Sequence, residues 1–309
     1  MRKIFGYLRD YFRGLNYPYL LVLLHLLALA VFVNFGVYSE DNWIKADPDS
    51  LHRLLKYIAG YGVMYGGAWL LLMAFDRDRR LRSGKLWGLI TAGVILFSLR
   101  AWYQPDYATI GTWASPAYMT LVYKLIINAT GLVFLFIPIA VYWLIADRKN
   151  GQLYGFHAKG VVLWPYFLMI GIMLPLIFFA ARDASFQDTY PRALRLNIPR
   201  EDPHWFGGTM LYEAVYSFDY VVTEFFFRGF LIIPIARMVG EKAILPMCAF
   251  YVAIHFDKPL AECISSFYGG ALLGILAYRT KSIYGGVIVH LGIALSMELV
   301  GWYMRFGWH

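Results

Sequence analysis

The sequence predicts an all-α protein, a polytopic transmembrane helix bundle of about eight to nine spans. Three observations predict it. Of the 309 residues, 60% are hydrophobic and 16% charged, against roughly 45–50% and about 25% in a soluble domain. The apolar residues come in long runs rather than alternating ones, and runs of about 20 are what a bilayer core demands. The basic residues, which leave a net charge of +8, collect in loops between those runs. There they set topology, so the lipid bilayer rather than nucleic acid is the partner this pattern implies.

The stretch MRKIFGYLRDYFRG at the N-terminus reads as a short basic interfacial helix, and the apolar run near 18–38 is long enough to span. That run ends without a small-x-small cleavage site, so it reads as a first transmembrane helix rather than a signal peptide. Further apolar segments lie near 54–75, 86–101, 119–146, 161–181, 208–238, 243–256, 262–279 and 283–304. Pro138, Pro165, Pro175 and Pro234 fall inside them and predict kinks, which neighbouring helices tolerate in a membrane. Loop 76–85 carries five basic residues and loop 147–160 three, while Arg237, Lys242, Arg279 and Lys281 flank two later turns. With nine spans, all of these and the basic N-terminus fall on one side, which the positive-inside rule makes the cytoplasm. Segments 39–53, 102–118 and 182–207, of mixed charge, fall on the other. The chain thus divides into a five-span region, 1–181, with no motif, an extracytoplasmic loop, 182–207, and a membrane core, 208–309. Cys248 and Cys263 are isolated and read as core residues.

Ionisable groups at mid-membrane cost at least about 2.5–3.5 kcal/mol each. The first five spans carry few: His25, which reads as a helix-contact residue, and Lys124, which can snorkel. The last four carry many. Glu224 and Arg228 are four apart, so they share a helix face in the favourable order. Glu213, eleven back, lies on nearly that face, and Asp219 is expected to point elsewhere. His255 ends the seventh run and is followed by Asp257, Lys258 and Glu262; His290 and Glu298 sit two turns apart in the last. Three roles fit such a set. The groups pair to fix helix packing, though each such contact is worth only about 0.6–2 kcal/mol; or they relay a proton or ion; or a Glu and a His activate water while a second His steadies an oxyanion.

Glu224-Phe-Phe-Phe-Arg228-Gly229, then Tyr251 four residues before His255, then His290 in the last run, resembles the CAAX prenyl protease and bacteriocin-processing family, the type II CAAX endopeptidase or Abi group of intramembrane proteases. The family pattern is Glu-Glu-x-x-x-Arg, Phe-x-x-x-His and His-x-x-x-Asn, and the resemblance covers roughly 205–305. It implies an all-helical membrane fold with a cavity holding the Glu and two His, and hydrolysis of a peptide bond in a membrane-anchored protein or peptide. By position Glu224 is the second Glu of motif one and Arg228 its partner; His255 and His290 are the histidines of motifs two and three. Two positions depart: Thr223 replaces the first Glu, and Ala294 the last Asn. The chain is then either an inactive relative serving as a membrane interaction or immunity protein, or a branch with a rearranged site. In the rearranged branch Glu224 deprotonates water aided by His255, His290 steadies the oxyanion, Arg228 holds Glu224, and Glu262 or Glu298 restores a second carboxylate. The family also admits zinc, for which Glu224, His255 and His290 would be the ligands, but no HExxH spacing supports it. The bacterial-type relatives suggest the bacterial inner membrane, with the N-terminus cytoplasmic.

Overall fold

A computed structural model of the chain describes residues 2–158 and 161–307. Every regular element among them is helical. An amphipathic first helix, α1 (Arg2–Arg13), precedes α2 (Tyr17–Gly36). Asn16 caps α2 by accepting the Tyr19 amide, and Pro18 sits in its first turn, where a missing N–H costs nothing. Next come α3 (Ser50–Phe75), α4 (Gly84–Trp102) and α5 (Met119–Asn150). The second half consists of α6 (Trp164–Ala180), α7 (Trp205–Glu224), α8 (Ile233–Val239), α9 (Ile244–Ala253), α10 (Leu260–Thr280) and α11 (Tyr284–Phe306).

Six of these, α2, α3, α4, α5, α10 and α11, are long and apolar enough to cross a membrane. The expected count of eight to nine is larger because three apolar segments take other forms. Segment 161–181 supplies only the 17-residue α6. Segment 208–238 breaks into α7, a π-helical turn over Phe225–Phe230, and α8. Segment 243–256 supplies α9, whose 10 residues are all buried. An all-round apolar pattern marks burial in protein as readily as burial in lipid, and α9 is the protein-buried case. Pro165 and Pro234, expected as kinks, instead occupy the first turns of α6 and α8.

The core forms around α9. Phe250 packs on Tyr61, Tyr65, Phe97, Phe226 and Phe227, with ring centroids 5.1–6.0 Å apart. Helix α9 lies along α10, α7 lies between α5 and α11, and α6 lies along α11. Polar contacts gather at two ends. At one, Lys242 Nζ lies 2.7 Å from Asp76 and 2.8 Å from Asp78, Arg237 lies 2.7 Å from Asp147, and the Ile283 amide donates to the Gly155 carbonyl. The four basic loops expected on one side therefore do meet; Lys159, one of their basic residues, lies outside the described residues. At the other end Asn34 donates to the Phe256 carbonyl, Lys45 lies 3.7 Å from Asp257, and Glu298 accepts the Arg192 amide at 2.9 Å.

Candidate active site

Helix α7 ends at Glu224, and the chain then widens into the π turn before α8 resumes. A π turn inside a longer helix re-aims the side chains around it and often marks a functional site. Within it, a Cβ at Gly229 would lie 2.6 Å from the Tyr154 carbonyl, so glycine alone lets that backbone pass. Glu224 and Arg228 are both fully buried, and Arg228 Nη1 lies 2.8 Å from Glu224 Oε1. The guanidinium also sits 4.1 Å over the Tyr251 ring, a cation–π contact that helps a buried charge.

The same Glu224 oxygen meets His290 Nδ1 at 3.0 Å. A carboxylate accepts, so His290 Nδ1 carries the proton and donates it to this bond, and the imidazole is held in one orientation. Gly286, one turn before His290, presses against the other oxygen, Oε2, so closely that a Cβ would collide with it. Tyr220 fixes the second edge of the ring, with centroids 4.5 Å apart.

His255 lies just past the end of α9. Its Nδ1 is 2.6 Å from the Tyr251 carbonyl, and the Tyr251 ring packs on it at 4.6 Å. A carbonyl can only accept, so Nδ1 again donates, and in the neutral ring Nε2 keeps its lone pair. Tyr251, in the aromatic position of motif two, thus touches Arg228, His255 and His290 together.

His255 and His290 line one cavity of about 560 Å³, with Thr223, Glu262 and Asp219. Glu224 is not in its walls. Four of the expected positions, Thr223, His255, Glu262 and His290, therefore meet at the cavity, while Glu224 and Arg228 stand behind His290. Glu298, expected to reach the same space, does not. It is buried at the far end of the last helix, where both carboxylate oxygens receive the Arg192 amide and tie down segment 182–207. Ala294, one turn beyond His290, is buried.

Asp219, expected to point away, instead faces the cavity and pairs with Arg100 of α4. Arg100 Nη1 also lies 3.4 Å from Thr223 Oγ1. Sequence spacing held this signal, since 219 and 223 are four apart and so share a face. Arg100 carried none, because it closes one of the five motif-free spans. That N-terminal region supplies a wall of the cavity through Tyr61, Arg100 and Lys124.

Among the described residues no three His, Cys, Asp or Glu side chains stand as a metal-ligand set. Glu224 lies outside the cavity walls, and its Oε1 is shared by Arg228 and His290. It does not converge with the two histidines, so the three residues as arranged do not fit the zinc set considered from the family.

Residues 206–296 match the family model described as Type II CAAX prenyl endopeptidase Rce1-like. Over that segment the chain is similar to this family of endopeptidases. All three motifs fall within the matched residues, and the resemblance they carry is borne out. The matched segment begins in α7 and takes in both cavity histidines, whereas Arg100 lies outside it. Neither curated proteins nor solved structures offer a match to the chain.

Proposed function

We propose that this protein is an intramembrane endopeptidase that hydrolyses a peptide bond of a membrane-associated protein or peptide within the 560 Å³ cavity. One observation carries the proposal: two histidines from separate elements, each with Nδ1 engaged by an acceptor, face one polar space inside an apolar bundle. The matched family of endopeptidases gives that geometry its chemistry.

His255 Nε2 orients the attacking water by accepting a hydrogen bond from it. His290, as an imidazolium whose Nδ1–H is held by Glu224, donates its Nε2–H to the oxyanion that forms on the scissile carbonyl, where a preorganised donor has most effect. Full burial and two occupied contacts support a positioning role for Glu224, acting through His290, in place of direct contact with water. Arg228 neutralises Glu224 in turn. The protein works in the bacterial inner membrane with its basic end cytoplasmic.

The test uses purified full-length protein in liposomes supplied with membrane peptides extracted from the host, with new peptide termini read by mass spectrometry. Wild-type protein generates termini that His255→Ala and His290→Ala do not. Identical terminus lists from all three would end the hydrolytic proposal.

A further inference from the structure

Motif one lacks its first carboxylate, because Thr223 stands where a Glu is expected. We infer that Asp219 takes the proton from the attacking water and so does the work of the missing Glu. The inference rests on the hydrolytic function proposed above.

Four features of the site point to Asp219. It lies one turn before Thr223, about 6 Å along the axis of α7, and both side chains line the cavity with His255 and His290. A single guanidinium ties the two positions together, since Arg100 pairs with Asp219 Oδ2 and reaches the Thr223 hydroxyl. Gly131 on α5 packs against the other oxygen, Oδ1, so the carboxylate is held from both sides. A general base must be fixed at its working distance, and this one is pinned by two helices other than its own.

The other carboxylates of the cavity are less suited. Glu262, which also lines it, has no ion pair and no side-chain carboxylate hydrogen bond among the described residues, so nothing orients it. Glu40 and Asp257 share Lys45 and lie on segments other than α7, the helix that carries Thr223. Glu224 is buried outside the walls.

In the step, Asp219 Oδ2 removes one proton from water as the water oxygen bonds to the scissile carbonyl carbon. The carbonyl π pair moves onto its oxygen. When the tetrahedral adduct collapses, the C–N bond breaks and the proton on Asp219 passes to the leaving nitrogen. Water is consumed, one acid and one amine form, and the carboxylate is regenerated.

The liposome assay tests this with five variants. Asp219→Asn is expected to lose about 100-fold or more in cleavage rate, the usual worth of a general base. Glu262→Gln is expected to lose far less than Asp219→Asn. Asp219→Ala loses as much as Asp219→Asn, and adding Thr223→Glu to it restores roughly tenfold or more, because a carboxylate returns to the same wall. That double variant also keeps a partner for Arg100, so it remains informative if Asp219→Asn folds poorly. Asp219→Glu displaces the acid limb of the rate–pH profile, which a purely structural ion pair would leave in place. Wild-type rates in Asp219→Asn, or loss in Glu262→Gln alone, overturn the inference while leaving hydrolysis intact, provided His290→Ala is inactive. A wild-type protein that cleaves nothing overturns both.

Discussion

Gly286 shows how little room the site leaves. Its backbone lies so near Glu224 Oε2 that one methyl group would displace the carboxylate. Gly286→Ala is therefore expected to cost about 1–3 kcal/mol by overpacking and to release His290 from Glu224. Cleavage falls more steeply than the melting temperature does, and a paired measurement of rate and unfolding on the purified variant checks this. Arg228 makes the complementary case. Removing it leaves a buried, unpaired Glu224, which costs about 3–5 kcal/mol. Arg228→Met is expected to unfold far more easily than wild type, and adding Glu224→Gln recovers most of the loss. If the double variant is no more stable than Arg228→Met, the pair does not carry the burial cost assigned to it. The pair itself is legible in the sequence, because four-residue spacing puts both groups on one face. Its orientation is not. The motif draws the eye to Glu224, whereas helix geometry turns Glu224 about 100° from Thr223 and into the protein. The same geometry brings Asp219 to the cavity.

Among elements, the sequence resolves ends better than interiors. Apolar runs locate every long helix, yet run length alone does not separate α9, enclosed by protein, from α10, which meets lipid. The distinguishing fact is tertiary: rings from α3, α4 and the π turn surround Phe250. The π turn is also hidden, since the backbone that packs on its Gly229, the Tyr154 carbonyl, is 75 residues away in sequence order. The loops, by contrast, act as readable staples. Asp78, in the 76–85 loop, accepts from Arg80 and from Lys242, just before α9. Those hydrogen bonds, Arg80 first, hold its carboxyl well below the usual range. A carboxylate depressed in the folded state stabilises it at pH values above the unfolded pKa of about 3.9, and that stability is lost as pH falls below it. Asp78→Asn is expected to lower stability by roughly 1.5 kcal/mol near neutral pH. The gap from wild type narrows by about pH 3. Denaturation in detergent at the two pH values reads both effects, and an unchanged gap would show that Asp78 does not couple the loop to the bundle.

Across the whole molecule, charge and cavity sit at opposite ends. The loops at 76–85, 147–160, 237–242 and 279–281 meet at one end through Lys242, Arg237 and the Gly155 carbonyl. The cavity is bordered at the other by Glu40, Lys45, Gln104 and Asp257, from segments of mixed charge. The positive-inside rule predicts that the basic loops lie in the cytoplasm, which would open the cavity on the extracytoplasmic side. A peptide cut there would be one presented from outside or from within the bilayer, and a free cytoplasmic C-terminus would have to cross the bundle to reach His255. Both native cysteines are fully buried, so single introduced thiols report cleanly. A membrane-impermeant maleimide applied to intact spheroplasts is expected to label Gln104→Cys at the cavity mouth and to leave Ser83→Cys unlabelled until the membrane is broken. Labelling of Ser83→Cys alone would invert the protein in the membrane and turn the cavity toward the cytoplasm.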